Sequence, residues 1–302
     1  MPDVIPTVVA PADVNRGTTN IALPQEVSSE IWGAALEESA IMSLARQITL
    51  PGPGTTIQTI TAEPQAQWVD EACAKPVAQH EFGKKAMTPY KLAVIEPFSN
   101  EFRRDLPALY NECIDRLPKA IARKFDETIV GTVAPGSGFD VLGGCTQVSL
   151  VPDEGKTVYD CFIAADAAIA AGTGIMDGIA LAPQGKSIVL GAVDGVGRPL
   201  FTPGPQSNSV GSILGADVVI SKGVYRQVPD NDTIIGIAGD FSDAVFGMVE
   251  GIKLDISEQA TLVTDDGIIA LWQQNMFAVR VEVEIGFAVR STNEFVLLTV
   301  ES

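Results

Sequence analysis

A chain of 302 residues with 46% hydrophobic side chains can build one large domain or two modest ones, which excludes global disorder. Its 38 acidic residues outweigh 20 scattered basic ones, for a net charge of −18, so no cationic face is available to neutralise phosphates and direct nucleic-acid binding is not expected. No apolar run is long enough for a transmembrane helix, and Met1-Pro2-Asp3-Val4 does not open a secretory signal, so no membrane partner is expected.

Residues 1–25, with Pro2, Pro6, Pro11 and Pro24, show no sustained period and read as an extended arm without a core of its own. Residues 26–46 change character: Val27, Ile31, Ala34, Ala35 and Met42 suggest a short amphipathic helix capped by Ser28 or Ser29. Residues 47–98 read as a long β-excursion. The Pro51-Gly52-Pro53-Gly54 turn precedes a β-prone strand, Thr56 to Thr61, and a return strand is expected over residues 90–95. Between them stand Trp68 and a polar tip around Gly83-Lys84-Lys85. A loop this long in a compact chain is functional or lies on another molecule.

The clearest helix spans residues 106–130. Leu106, Leu109, Tyr110, Cys113, Ile114, Leu117, Ile121, Phe125 and Ile129 recur in steps of three and four. Asp105 reads as its N-cap, Gly131 as its stop, and Pro118 should kink or divide it. The Gly/Pro-rich stretch 131–150 marks an internal boundary. Beyond it lies a mixed α/β unit with a helix over Val158–Ala171 and strands expected at residues 187–190, 217–220, 233–237 and 252–256. Near the end, Val279, Val281, Val283 and Ile285 alternate with Arg280, Glu282 and Glu284, the pattern of a strand with one buried and one wet face. Phe295, Leu297 and Thr299 suggest a closing partner strand, and the C-terminal strands are expected to pair back onto the long-helix region.

A catalytic constellation is missing. His80 is the single histidine, in a polar segment without a nucleophile motif. Cys73, Cys113, Cys145 and Cys161 form no C-x-x-C pair and read as reduced thiols. Gly172-Thr173-Gly174 follows a helix instead of a strand, the wrong setting for cradling a dinucleotide. Asp230-Asn231-Asp232 reads as a turn, without the register of a calcium loop. No enzyme activity, metal or cofactor is therefore expected. Lys75, Lys84, Lys85 and Lys91 read as a solvated cluster offsetting acidic neighbours; the sharper alternative is a lysine forming an isopeptide at a desolvated inter-subunit contact.

Several segments, in order, resemble the major capsid proteins of tailed bacteriophages, the family with the HK97-type fold. Ala66-Gln67-Trp68-Val69-Asp70-Glu71 resembles the family's extended-loop motif, and Pro97-Phe98-Ser99-Asn100-Glu101-Phe102-Arg103-Arg104-Asp105 the start of its spine helix. Ala122-Arg123-Lys124-Phe125-Asp126-Glu127 is similar to the end of that helix. Gly197-Arg198-Pro199-Leu200-Phe201 and Gly239-Asp240-Phe241-Ser242-Asp243-Ala244 resemble axial-domain loops, and Asn275 to Val289 the C-terminal strands. The resemblance implies an α+β HK97-type capsid fold. Its parts would be an N-terminal arm and short helix (1–46), an extended β-loop (47–98), a peripheral domain with the spine helix (99–145 and 271–302) and an axial domain (146–270).

The resemblance also implies hexamers and pentamers of the chain tiling an icosahedral head around double-stranded DNA, with a portal protein as partner. Separate scaffolding and decoration proteins are possible further partners. Its place would be the virion capsid, assembled in the host cytoplasm. Because the arm starts almost at Met1, no attached scaffolding segment is expected. An acidic wall suits enclosed DNA, since it repels phosphate without trapping it; the plainer reading is that the acidity keeps an abundant protein soluble. The rival reading is an encapsulin-like shell around a cargo protein. In either case Ile57, Ile60, Trp68, Phe82, Lys84 and Lys85 are the expected inter-subunit contacts, because arm and loop lack a core of their own.

Overall fold

The computed structural model describes residues 39–62, 68, 81–194, 196–201, 211–228, 232–264 and 267–301. The expected arm, most of the first helix, Cys73, Lys75, His80 and the 229–231 turn lie outside the described residues.

Five helices and fifteen strands follow one another along the described chain. Helix α1 (Ala40–Leu44) leads into β1 (Arg46–Thr49), β2 (Thr55–Ala62), β3 (Glu81–Met87) and β4 (Tyr90–Ser99). Helices α2 (Asn100–Asp105) and α3 (Pro107–Val130) precede β5 (Thr146–Ser149), α4 (Val158–Ala171), β6 (Gly178–Leu181) and α5 (Pro183–Leu190). The remaining strands are β7 (Ser212–Ile213), β8 (Ala216–Ile220), β9 (Thr233–Gly239), β10 (Ala244–Met248), β11 (Lys253–Ser257), β12 (Thr261–Thr264), β13 (Gly267–Ala270), β14 (Met276–Val289) and β15 (Phe295–Val300).

One sheet is organised around β14. It pairs antiparallel with β4, β10 and β11, and β1 joins β10 in parallel. The alternation read in the sequence is physical: Phe277, Val279, Val281, Val283, Ile285 and Phe287 are buried, while Arg280, Glu282 and Glu284 face outward. Cross-strand ion pairs Arg280–Asp255 (2.6 Å) and Lys91–Glu284 (3.1 Å) line the outer face. Against the inner face lies α3, the long spine helix. Its Leu117, Ile121, Phe125 and Ile129 are all buried, and Phe125 meets Phe287 edge-on at 6.2 Å. At the helix's other end Phe277 stacks on Phe98 at 5.7 Å, with the Arg103 guanidinium 4.6 Å above its ring.

The second sheet runs β5-β15-β9-β6-β8-β7. Every residue of β9 is buried, and Phe162, Ala165 and Ile169 of α4 close over this sheet in a second apolar cluster. Helix α4 begins as expected, with the Asp160 carboxylate accepting the Thr157 N–H at 2.8 Å, a reciprocal cap.

Several expectations are corrected. The apolar run at residues 187–190 is helical, not a strand: Pro183 opens α5, and Val189 is buried on the second core. Strand β15 does not close against β14; it pairs with β9 and with β5, so the C-terminal strands part into different sheets. Conversely β10 and β11, from the stretch expected to be axial, pair with β14. Gly83-Lys84-Lys85 lies inside β3 instead of at a tip. Asp105 ends α2, and Leu106 takes the N-cap position of α3. That helix is not divided at Pro118 and stops at Gly131 as expected.

Candidate assembly surface

Strands β2 and β3 form a two-stranded ribbon that, among the described residues, joins no other strand. Their register sets Ile57 opposite Lys85, Gln58 opposite Lys84 and Ile60 opposite Phe82, so five of the six expected contact residues share one ribbon. The sixth, Trp68, lies past the end of β2 and is fully exposed. A lone two-stranded ribbon is marginal in water, and an indole left wholly in solvent marks a surface awaiting a partner. At the root the picture differs. Ile57 packs beside a small cluster of Leu50, Met87 and Ala288 within its own subunit. Lys84 is exposed, whereas Lys85 turns inward to Asp140 at 2.6 Å. Lys85 pairs with Asp140 and Lys91 with Glu284, each on its own acidic neighbour.

A second apolar surface escaped the sequence reading. Strands β12 and β13 form another isolated hairpin, on which the facing pair Val263 and Ile268 is 82% and 69% exposed. Trp272, just beyond, is 76% exposed. The available signal was β-branched residues on both sides of Asp265-Asp266-Gly267, a hairpin-turn pattern.

The deepest polar site is structural. Asp126 lies on the buried side of α3, where Oδ1 accepts the Ser39 hydroxyl at 2.6 Å and Oδ2 accepts the Ser221 hydroxyl at 2.7 Å and the Ala40 N–H at 3.1 Å. Three distant segments are joined through one carboxylate. Burial pushes that carboxyl up to about 6, against the opposing pull of its hydrogen bonds. Gly223 belongs to the same junction: a Cβ there would stand 2.7 Å from the Asp126 Cβ and from the Arg123 carbonyl oxygen.

A groove of about 600 Å³ beside the end of α3 is lined by Lys124, Glu127, Thr128, Pro135, Tyr225 and Arg226; there Glu127 pairs with Lys124 at 3.2 Å and the Thr128 hydroxyl donates to the Lys124 carbonyl at 2.7 Å. Among the described residues no three His, Cys, Asp or Glu side chains are placed to hold a metal, and no helix is long and apolar enough to cross a membrane. Cys113, Cys145 and Cys161 are free thiols, with Cys145 pushed up to about 11 by burial. The Gly172 turn is explained by packing, since a Cβ there would stand 2.2 Å from the Asn293 carbonyl oxygen.

The phage capsid family model matches residues 19–300. The chain belongs to the phage capsid family. It is 29% identical over 300 residues to the probable major capsid protein gp17 of Mycobacterium phage L5, covering 92% of this chain and 89% of that one. A probable major capsid protein gp17 from Mycobacterium phage D29 is 27% identical over 291 residues, with the same coverage. Among solved structures, a chain of Gordonia phage Cozz superposes with a TM-score of 0.69 at 22% identity, covering 88% of this chain and 87% of that one. One from Mycobacterium phage Ogopogo gives 0.70 at 19%, covering 87% and 92%. The architecture is thus the α+β HK97-type capsid fold, with α3 as the spine helix.

Proposed function

We propose that this capsid-family chain is the major capsid protein of a tailed phage, and that copies of it associate as hexamers and pentamers into an icosahedral head enclosing double-stranded DNA. The observation that carries this is the β2–β3 ribbon, a coreless projection with a fully exposed Trp68 beyond it. Such an element is marginal on its own, and a neighbour that covers it stabilises it. The exposed Val263–Ile268 pair is a further uncovered surface of the same kind. In this reading residues 1–46 are the arm and, of the stretch 47–98, the β2–β3 ribbon with the residues between its strands is the extended loop, while β1 and β4 belong to the sheet around β14. The sheet around β14 with α3 forms the peripheral domain, and the sheet around β9 the axial domain.

Ile57, Ile60, Trp68, Phe82 and Lys84 remain the proposed contacts with neighbouring copies. The net charge of −18 supports a wall that holds DNA without binding its sequence. A portal protein, with separate scaffolding or decoration proteins, would complete the head, built in the host cytoplasm and carried in the virion. The work of the chain is geometric, and no catalytic role is assigned to it. Both the matching family and the named relatives are those of phages, which favours a DNA-filled head over a cargo-enclosing encapsulin shell.

Electron microscopy of the chain expressed alone and sedimented is the direct test. Closed icosahedral shells of a size suited to a genome are expected. A uniform monomer that stays unassembled even with the phage's other head proteins present would overturn the proposal.

A further inference from the structure

The ribbon leaves the subunit at a root built from three separate segments. From β3, the Lys85 ammonium reaches Asp140 Oδ2 at 2.6 Å and donates to the Val289 carbonyl at 2.7 Å. The same Asp140 oxygen accepts the Val289 N–H at 2.9 Å, and the Asp140 N–H donates to the Phe287 carbonyl at 3.0 Å. One ammonium, one carboxylate and one residue's peptide groups thus close a ring between ribbon, loop and β14. The Lys85 and Asp140 side chains are only 31% and 22% exposed, so water competes weakly for these bonds.

The surrounding loop is shaped to the same root. Thr88 N–H donates to the Gly138 carbonyl at 2.9 Å, and the Tyr90 hydroxyl to the Ser137 carbonyl at 2.7 Å. Gly138 has a φ of +79°, and a Cβ there would stand 2.7 Å from the Thr88 hydroxyl oxygen, so a glycine is needed for the loop to approach. Apolar support is small: Leu50, Met87 and Ala288 are buried, with Ile48, Ile57 and Val249 partly buried against them. Such non-directional contacts hold a strand down but define its direction less well than a directional ring of hydrogen bonds.

We infer that Lys85 is a positioning residue, which fixes the angle at which the β2–β3 ribbon projects and so the neighbouring copy that the ribbon reaches. The inference rests on the assembly reading above. It also moves Lys85 out of the expected inter-subunit contacts, leaving Lys84, next along the strand and exposed, as the cation free to meet a neighbour. The lever is long. Strand β2 has 8 residues, or about 26 Å at the usual rise, so a 20° change at the root displaces the far end by about 9 Å. Without the ammonium, the Asp140 carboxylate and the Val289 carbonyl would face each other as two acceptors with no donor between them.

Full-length subunits with one spin label at Ala62, the far end of β2, and a second at the exposed Glu112 provide the test. The distance distribution is measured in the unassembled subunit, and shell diameter and yield by electron microscopy. Native protein and Lys85→Arg are expected to give one narrow distance and native shells. Lys85→Met is expected to broaden the distribution at least twofold and to cut closed-shell yield at least tenfold. Asp140→Asn, which keeps an acceptor for Val289 while removing the charge, should fall between them and serves if Lys85→Met does not fold. A native distribution in both variants would overturn the inference, as would a broadened one accompanied by a native yield of native-sized shells. If the native chain itself formed no shells, the assembly reading would fail while the distance measurement still judged the latch.

Discussion

Replacing Asp126 with Asn should abolish one identifiable part of the subunit's pH dependence. The carboxyl is fully buried, and burial raises it to about 6 in the folded protein, against an ordinary value of 3.8. A carboxylate raised on folding means that the native state holds its proton more tightly than the unfolded chain. Stability from this group is therefore fully present below pH 3.8, is lost as pH rises through the window to about 6, and stays lost above it. At 1.36 kcal/mol per pH unit the cost of holding the charged form at neutrality is about 3 kcal/mol. Asn is the neutral isostere, with a carbonyl at the Oδ2 position to accept from the Ala40 N–H and the Ser221 hydroxyl, and an amide at the Oδ1 position able to donate to the Ser39 oxygen. Denaturant unfolding of the unassembled native and Asp126→Asn subunits at pH 4 and pH 7.5 gives the comparison, and the other carboxylates cancel in the difference. The native protein should lose about 2 kcal/mol relative to the variant between these two pH values, the rest of the loss having occurred below pH 4. A difference between the two proteins that does not change with pH would refute the reasoning.

Other perturbations separate folding from assembly. Trp68→Ala removes an indole that lies in solvent, so subunit melting should stay within about 0.5 kcal/mol of native while shell yield falls severely; unchanged shell yield would sink the proposed contact. Phe125→Ala acts the other way. The ring is buried at 6.2–6.5 Å from Phe287, Phe139 and Phe246, and its loss should cost about 3–5 kcal/mol in denaturant unfolding of the subunit. Raising salt from low to moderate strength should promote assembly, because it screens repulsion between subunits of net charge −18. Light scattering that falls steadily with added salt would count against this.

What the sequence showed plainly was what a single periodicity encodes. Strand β14 alternates from Val279 to Ile285, and the spine helix repeats its apolar residues in steps of three and four, so both were legible with their buried faces. Residues 187–190, a short apolar run of β-prone character, are helical because Pro183 and burial against the second core decide the matter, and neither acts through local pattern. Strand β15 was read as a strand but given the wrong partner, since alternation specifies a face and not a neighbour. Asp126 was invisible among 38 acids, although it shares a helix face with the buried Ala122 and Val130, four residues away on either side. An acid in that position is the pattern to look for. Lys85 could be seen as a cation near the loop, but its role depends on Asp140 and Val289, 55 and 204 residues distant in sequence.

The division between a finished body and unfinished surfaces follows from how each region is stabilised. Both sheets bury continuous apolar faces under helices, so the body does not require a neighbour in order to fold. The β2–β3 ribbon and the β12–β13 hairpin are each two-stranded, with Trp68 beyond the first and Val263 and Ile268 on the second turned to water. Extending either one into a third strand or a packed layer would stabilise the free subunit and, by the same step, remove the surface that a neighbour must cover. A chain that assembles through such elements therefore keeps them marginal. Their direction then has to come from a few directional bonds at the root, and at the β2–β3 ribbon those bonds converge on Lys85, Asp140 and the peptide groups of Val289.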